Sequence, residues 1–403
     1  MSVNAFAGGT IEIDSLTSTT ARDLNLLADG GTSLVNVSAL NTWSDATNLG
    51  SVAVTNSGTV SLSAATATLT GVSVTANSSG IVNAGSLILN ANSLLRGNGG
   101  TVNANVTSNH QTSPGISPGR VTVTGNYVQG ASAGLAIEIT GLTAATQYDQ
   151  LVVNGTVALS GNLNLSGSYV ANVGDTFVIV DNDGADAVTG TFNNSPEGDV
   201  YTFNGRPLRL SYQGGDGNDV TLTRIDNLVV ARRIFYNEST FDGNNAGINT
   251  NDDLAIAPDK TALLPGAGQA VLANITSYTR GINGIMVDVS GTGTHTSINV
   301  NDFVFKIGAN NSPSLWSPAA GPAAVSVRPG AGYRGADRVV ITWSTNAIQN
   351  TYLEVAVLPT GNTGLAATGT TVDPDGAGGA AAVALGDVFF WGHLMGETAA
   401  TTP

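Results

Sequence analysis

From Gly9 to about Val106 the apolar positions fall in short alternating or doubled runs: Ile11-Glu12-Ile13, Leu34-Val35-Asn36-Val37, Val52-Ala53-Val54, Val72-Ser73-Val74 and Leu87-Ile88-Leu89. Alternation with period two over so few residues predicts short, half-buried strands. Asn, Ser and Gly separate the runs, as tight turns require. Three junctions repeat a similar string, Ser57-Gly58-Thr59-Val60, Ser79-Gly80-Ile81-Val82 and Gly99-Gly100-Thr101-Val102. A strand-and-turn unit recurring at about twenty residues predicts coils stacked on copies of themselves, a parallel β-solenoid with one aliphatic column inside. An antiparallel sandwich would call for longer strands and less regular spacing.

Ser113-Pro114-Gly115-Ile116-Ser117-Pro118-Gly119 interrupts the run with two Pro-Gly turns. Strands resume at Val121-Thr122-Val123, Leu135 to Ile139, Leu151-Val152-Val153, Leu163-Asn164-Leu165, Phe177 to Val180, Leu208-Arg209-Leu210 and Val220-Thr221-Leu222, now with aromatics and charges among them. This is the texture of terminal coils and a cap over the end of a solenoid. After Thr223 to Leu228 the strands lengthen (Gly284 to Val289, Phe303 to Ile307, Ala324 to Val327, Arg338 to Trp343, Tyr352 to Leu358, Asp387 to Trp391), which predicts an antiparallel β-sandwich. The expected division is a solenoid rod over 1–115, its terminal coils and cap over 116–225, and a sandwich module over 226–403. Thr368 to Leu385, Gly- and Ala-rich around Asp373-Pro374-Asp375-Gly376, reads as an inserted loop.

Composition sharpens this picture. Only 11% of the 403 residues are charged while 51 are Gly, and hydrophobic content is 41%; such a chain is folded and all-β, since disorder goes with low hydrophobicity and high charge. A net charge of -15, with Lys260 and Lys306 the only lysines, leaves no basic face for nucleic acid or anionic lipid. Cysteine is absent, which excludes disulfides, thiolate metal sites and cysteine nucleophiles. No apolar run reaches the length of a membrane-spanning helix. Ser2 to Thr10 has neither the basic nor the apolar region of a secretion signal; with strand texture from the first residues, the chain is expected to begin inside a longer protein.

Leu95 through Thr223, with Ser117-Pro118-Gly119, Gly125-Asn126-Tyr127, Tyr148-Asp149-Gln150-Leu151 and Gly214-Gly215-Asp216-Gly217-Asn218-Asp219, resembles the passenger-type β-helix repeat of autotransporter-like bacterial surface proteins. The resemblance covers about a third of the chain. It implies a right-handed β-helix, export, a place on the bacterial cell surface or outside the cell, and no catalytic residues. From Val230 onward, Phe241-Asp242-Gly243-Asn244, Asp252-Asp253, Ser277 to Gly284 and Arg338 to Trp343 resemble a module near the C-termini of very large exported bacterial proteins, often before a dockerin-like segment. No function is firmly attached to that module.

Candidate chemistry is sparse. Between Asp45 and Glu138 there is no Asp or Glu, so that stretch cannot supply the paired carboxylates that glycoside hydrolysis uses. An enzyme built on Asp149, Asp175 and the C-terminal loops is the remaining catalytic reading. His110, His295 and His393 lack a second ligand at metal spacing, and no Gly-x-Ser-x-Gly elbow is present. The leading metal candidate is the loop bearing Asp242, Asn244, Asn245, Asp252, Asp253 and Asp259, whose oxygens suit Ca²⁺, although its spacing is not that of an EF-hand. The turns Gly214 to Asp219 and Asp181-Asn182-Asp183-Gly184 look similar, but each alone offers half a site at most and reads as tight-turn chemistry. Trp316, flanked by Pro313 and Pro318, is the candidate sugar-stacking residue; Trp343, in an alternating strand, reads as core. Lys306 alternates with Phe303, Phe305 and Ile307 and is expected to face solvent.

The functional expectation is a non-catalytic extracellular structural segment: a rod-like scaffold or adhesin segment that self-assembles head-to-tail, through its solenoid ends or strand edges, into a filament or surface layer. The alternative is a carbohydrate-binding module of a larger secreted protein or polysaccharide-acting assembly, with a cell-surface polysaccharide as its partner.

Overall fold

The computed structural model describes residues 2–14, 16–18, 25–38, 40–44, 50–375 and 381–395. The chain divides into two compact units, one comprising Met1–Asp199 with Leu208–Arg224, the other Val200–Pro207 with Ile225–Pro403. In both, strands are the main regular structure, joined in the second unit by short 3₁₀ turns.

The first unit is a parallel β-solenoid. One face is an eight-stranded parallel sheet whose inward positions run Val3, Leu26, Val52, Val74, Leu95, Thr112, Leu135 and Leu163, each in register with the next. A second face stacks Ile11, Val35, Val60, Val82, Val102, Val123, Val153 and Asn182 in the same way. A third stacks Ala67, Leu87, Val106, Tyr127 and Val157. Coil length follows the sequence period where the Gly strings repeat, 22 residues from Val52 to Val74 and 21 from Val74 to Leu95. It grows to 28 between Leu135 and Leu163, where a turn over Thr140–Tyr148 is added.

The repeated glycine has a spatial cause. A Cβ on Gly58 would meet Ala28 O at 2.4 Å, one on Gly80 would meet the Val54 carbonyl carbon at 2.8 Å, and one on Gly100 would meet that of Ala76 at 2.3 Å. Ala28, Val54 and Ala76 are themselves in register, so each turn presses on the backbone of an earlier coil. The positive φ values in these turns belong to the residues before the glycine, Asn56 and Ser57 at 49° and 67° and Ser78 and Ser79 at 47° and 62°. Asn visits the left-handed region more readily than most residues, whereas Ser57, Ser78 and Ser79 hold it at some backbone cost.

Polar residues line the outside as ladders. Glu12, Asn36, Ser61, Asn83 and Asn103 follow one another in register. Asn36 Nδ2 donates to Glu12 Oε2 (2.7 Å), Asn83 Nδ2 to Ser61 Oγ (3.1 Å) and Asn103 Nδ2 to Asn83 Oδ1 (2.9 Å). Inside, one polar cluster interrupts the aliphatic stacking: Tyr127 OH donates to Thr112 Oγ1 (2.9 Å), which donates to Ser108 Oγ (3.1 Å), and all three residues are buried. On the second face the parallel stacking ends at Thr176–Asn182, against which Asp219–Arg224 runs antiparallel, followed by Arg206–Gly214 on its other side; on the third, Thr189–Gly190 adds a last parallel pair with Val157–Leu159. Phe177 lies edge-on to Tyr148 and Tyr169, and Phe192 packs against Tyr212, so this cap is aromatic where the coils are aliphatic.

The second unit is a sandwich of two sheets. Four strands order as Leu228–Ile234, Gly284–Ser290, Asp337–Thr342 and Ala324–Arg328, all antiparallel. Five order as Ile275–Thr276, Asp387–His393, Tyr352–Val357, Phe303–Gly308 and Ser317–Pro318. Between them lies one core containing Ile285, Val287, Val339, Ile341, Trp343, Val355, Phe389 and Trp391. Trp343 is buried as its alternation predicts, edge-on to Phe305 at 5.2 Å. Lys306 corrects the sequence reading: it is 0% exposed. The segment Ser312–Trp316 folds over that face, and Lys306 Nζ donates to Pro313 O (2.8 Å) and Ser314 O (3.2 Å), with Glu354 Oε2 at 4.0 Å. In the Thr368–Leu385 stretch, Thr371–Val372 pairs with Val383–Ala384, and residues 376–380 lie outside the described residues.

Candidate functional site

The acidic loop after the strand Leu228–Ile234 folds onto the sandwich through its own polar side chains. Asp242, fully buried, accepts from the Glu238 N–H at Oδ2 (2.6 Å) and from the Asn245 N–H at Oδ1 (3.4 Å). Asn244 is exposed with φ of 59°, and Asn245 Oδ1 accepts from the Gly247 N–H (2.8 Å). Asp252 caps a 3₁₀ turn, Thr250–Ala255, by accepting from the Asn249 N–H (2.9 Å), while its buried Oδ1 has no partner. Burial pushes the Asp252 carboxyl up and the charge of Asp242 adds to it, against the Asn249 N–H and Arg328. The structure therefore brings Asp242 and Asp252 together.

It sends the other two carboxylates elsewhere. Asp253 is gripped by Arg328, Nη1 at 2.9 Å and Nη2 at 2.7 Å, and by Arg338 Nη1 at 2.9 Å. Burial opposes its ionisation, but those guanidinium bonds prevail and hold its pKa below the usual value. Arg338 also forks onto Asp288 at 2.8 and 2.9 Å, so this part of the loop is a clamp on the outer face of the four-stranded sheet. Asp259 stands at the surface beside Lys260 at 3.0 Å. Two buried amide oxygens without partners, Asn237 Oδ1 and Asn283 Oδ1, lie nearby in the fold, Asn283 Nδ2 donating to Asn237 O at 2.7 Å. Both residues sit just outside strand ends, where sequence patterning assigns them to turns.

Trp316 is only 5% exposed. Its ring stacks on Tyr352 at 6.2 Å and meets Phe390 edge-on at 5.8 Å, and its Nε1 donates to Asn310 at 3.1 Å. It forms the floor, not the rim, of a groove of about 630 Å³ lined also by Tyr352, Phe390, Gln269, Asn310 and Asn311.

In the solenoid, Asp149 beside Glu138 and Arg96 lines a smaller pocket of about 250 Å³. Both Asp149 oxygens are engaged by backbone, Oδ1 by Gly119 N–H (2.8 Å) and Oδ2 by Glu138 N–H (3.0 Å). A Cβ on Gly115 would come 1.8 Å from Asp149 Oδ1, so the Pro-Gly loop closes directly on this carboxylate. Burial raises its pKa, with Glu138 adding charge and the two N–H bonds opposing. Asp175 likewise accepts from Tyr169 OH (2.9 Å) and the Asn172 N–H (2.7 Å). The histidines are held apart: His110 bonds Ser93 O, His295 bridges Asp337 and Thr363 O, and His393 joins Asn350 N to Tyr278 O. Among the described residues no three His, Cys, Asp or Glu side chains gather as a metal site, and no helix is long and apolar enough to cross a membrane.

The acidic turns at Asp181–Asp186 and Asp216–Asp219, unrelated in sequence position, meet at the cap. Val180 pairs with Val220 across the antiparallel junction, and the Asn182 N–H donates to Asp219 Oδ1 at 2.9 Å.

Compared with known protein families and with curated proteins, the chain matches none.

Proposed function

We propose that this chain is a non-catalytic structural segment of an exported bacterial surface protein, in which the solenoid serves as a stiff scaffold and the sandwich as an attached module. The observation that carries this reading is the inner column from Val3 to Leu163, wrapped by the outer Asn and Ser ladder from Asn36 to Asn103. Stability in such a stack is a sum of coil and neighbour terms, which suits load along its axis. The chemically capable residues are occupied in structure: Asp149 and Asp175 hold backbone N–H groups, and Asp253 holds two arginines. The likeness of residues 95–223 to autotransporter-like passenger repeats supports a place outside the cell.

Head-to-tail self-association through the solenoid ends or strand edges, into a filament or surface layer, is part of this proposal. Light scattering across a wide concentration range tests this: assemblies that lengthen with concentration are expected, and monomers throughout would refute the contact. Incubation with a panel of polysaccharides tests the non-catalytic reading, since any release of reducing ends would overturn it.

The second reading, carbohydrate binding by the sandwich, is favoured by the groove over Trp316, where aromatic faces meet the amides of Gln269, Asn310 and Asn311. A glycan array with Gln269→Ala and Asn311→Ala as controls separates the two: signal lost in these variants supports binding, and a blank array removes it.

A further inference from the structure

The turns Asp181–Asp186 and Asp216–Asp219 are joined at several points. Asn182 Nδ2 donates to Asp186 O (2.7 Å), Asn218 Nδ2 donates to the same carbonyl (3.1 Å), and the Asn182 N–H donates to Asp219 Oδ1 (2.9 Å). Asn182 is 1% exposed and Asn218 5%, yet Asn182 Oδ1 and Asn218 Oδ1 have no partner, nor does the buried Asp186 Oδ2. Rotating either amide would not relieve it, because the Nδ2 groups are committed to a carbonyl that cannot donate. A buried oxygen without a partner is costly, and one amid carboxylates has no neighbouring donor to gain. Asp181 and Asp216 add negative charge around Asp219. Gly215 wraps this carboxylate closely, since a Cβ there would stand 1.7 Å from Asp219 Oδ2.

We propose that these two turns form a hard divalent cation site, with Asn182 Oδ1, Asn218 Oδ1, Asp186 and Asp219 as its side-chain oxygens and Ca²⁺ as its occupant. The chemistry fits an all-oxygen donor set with two carboxylates, completed by main-chain oxygens or water. No nitrogen or sulfur ligand is offered, which disfavours zinc and the softer transition metals. The two halves come from strands joined antiparallel at Val180 and Val220, so the ion would tie the last parallel coil to the strand that covers it. Calcium would in this way lock the cap, a role separate from the scaffold reading and independent of it.

The test is calorimetric titration of Ca²⁺ into the full chain after chelator treatment. One site is expected in the native chain, weakened at least tenfold in Asp186→Asn and in Asp219→Asn. The double variant Asp242→Asn with Asp252→Asn, in the sandwich loop, should leave that heat unchanged. No binding by the native chain overturns the proposal, as does binding that survives both cap variants or vanishes only in the loop variant. Hydrogen exchange on the native chain guards against a variant that fails to fold: Ca²⁺ should slow exchange in residues 181–186 and 216–224, and unchanged rates there refute the site.

Discussion

Gly100 lies against Ala76 so closely that a Cβ would stand 2.3 Å from the Ala76 carbonyl carbon. Gly80 bears the same relation to Val54. A methyl at either place must displace backbone, not a flexible side chain. Gly100→Ala and Gly80→Ala should each cost about 1–3 kcal/mol, the usual range for overpacking. Gly99, where a Cβ would meet nothing within 4 Å but φ is 80°, should cost only about 1 kcal/mol through backbone strain. Denaturant midpoints of the three variants give the comparison.

The break in the aliphatic column makes a second prediction. Burial pushes the Tyr127 hydroxyl to about 12, against its bonds with Thr112 and Ser108. Spectrophotometric titration of the phenols should lose its latest-titrating component in Tyr127→Phe. Because the folded phenol keeps its proton longer than the unfolded one, stability falls as pH rises above 10 toward 12. Removing the hydroxyl leaves Thr112 short of a donor and should cost about 1 kcal/mol at neutral pH.

Acidic groups pull stability in opposite directions. Asp149, Asp219, Asp252 and Glu354 are raised, burial being the largest cause in each. The folded state binds more protons at these sites, so their contribution declines as pH rises from below the ordinary values of 3.8 for Asp and 4.5 for Glu through the folded ones. Asp253 is lowered; its contribution is complete above 3.8 and is lost as pH falls through its folded value. In chelator, Asp252→Asn should therefore flatten the decline and leave the chain at pH 7 as stable as the native one or about 1 kcal/mol more so. Thermal melts between pH 3 and pH 7 (roughly the span of these titrations) decide it.

Asp253→Ala has the reverse sign. It leaves Arg328 without its carboxylate and Arg338 with Asp288 alone. The site is partly open to solvent, so the cost should be about 1–3 kcal/mol, short of that for a fully buried pair. Chemical denaturation of the full chain measures it.

Much of the architecture was legible because it is local. Strand texture, Gly strings and the change near Thr223 are written within windows of a few coils. What was not legible depends on partners far apart in the chain. Asp253 looked like a free ligand because Arg328 and Arg338 stand 75 and 85 residues away. Lys306 looked solvent-facing because alternation cannot show that Ser312–Trp316 folds over it. Trp316 looked exposed for the same reason, its covering rings being Tyr352 and Phe390. The meeting of Asn182 with Asp219 needs an antiparallel return that period-counting in a parallel stack does not anticipate.

The scaffold reading rests on a stack whose coils yield one after another, and stretching the full chain between its ends by single-molecule force measures that directly. A staircase of releases is expected, each freeing one coil of twenty-odd residues or about 75 Å of extended chain. A single cooperative rupture of the whole solenoid, or smooth extension at low force, would contradict it.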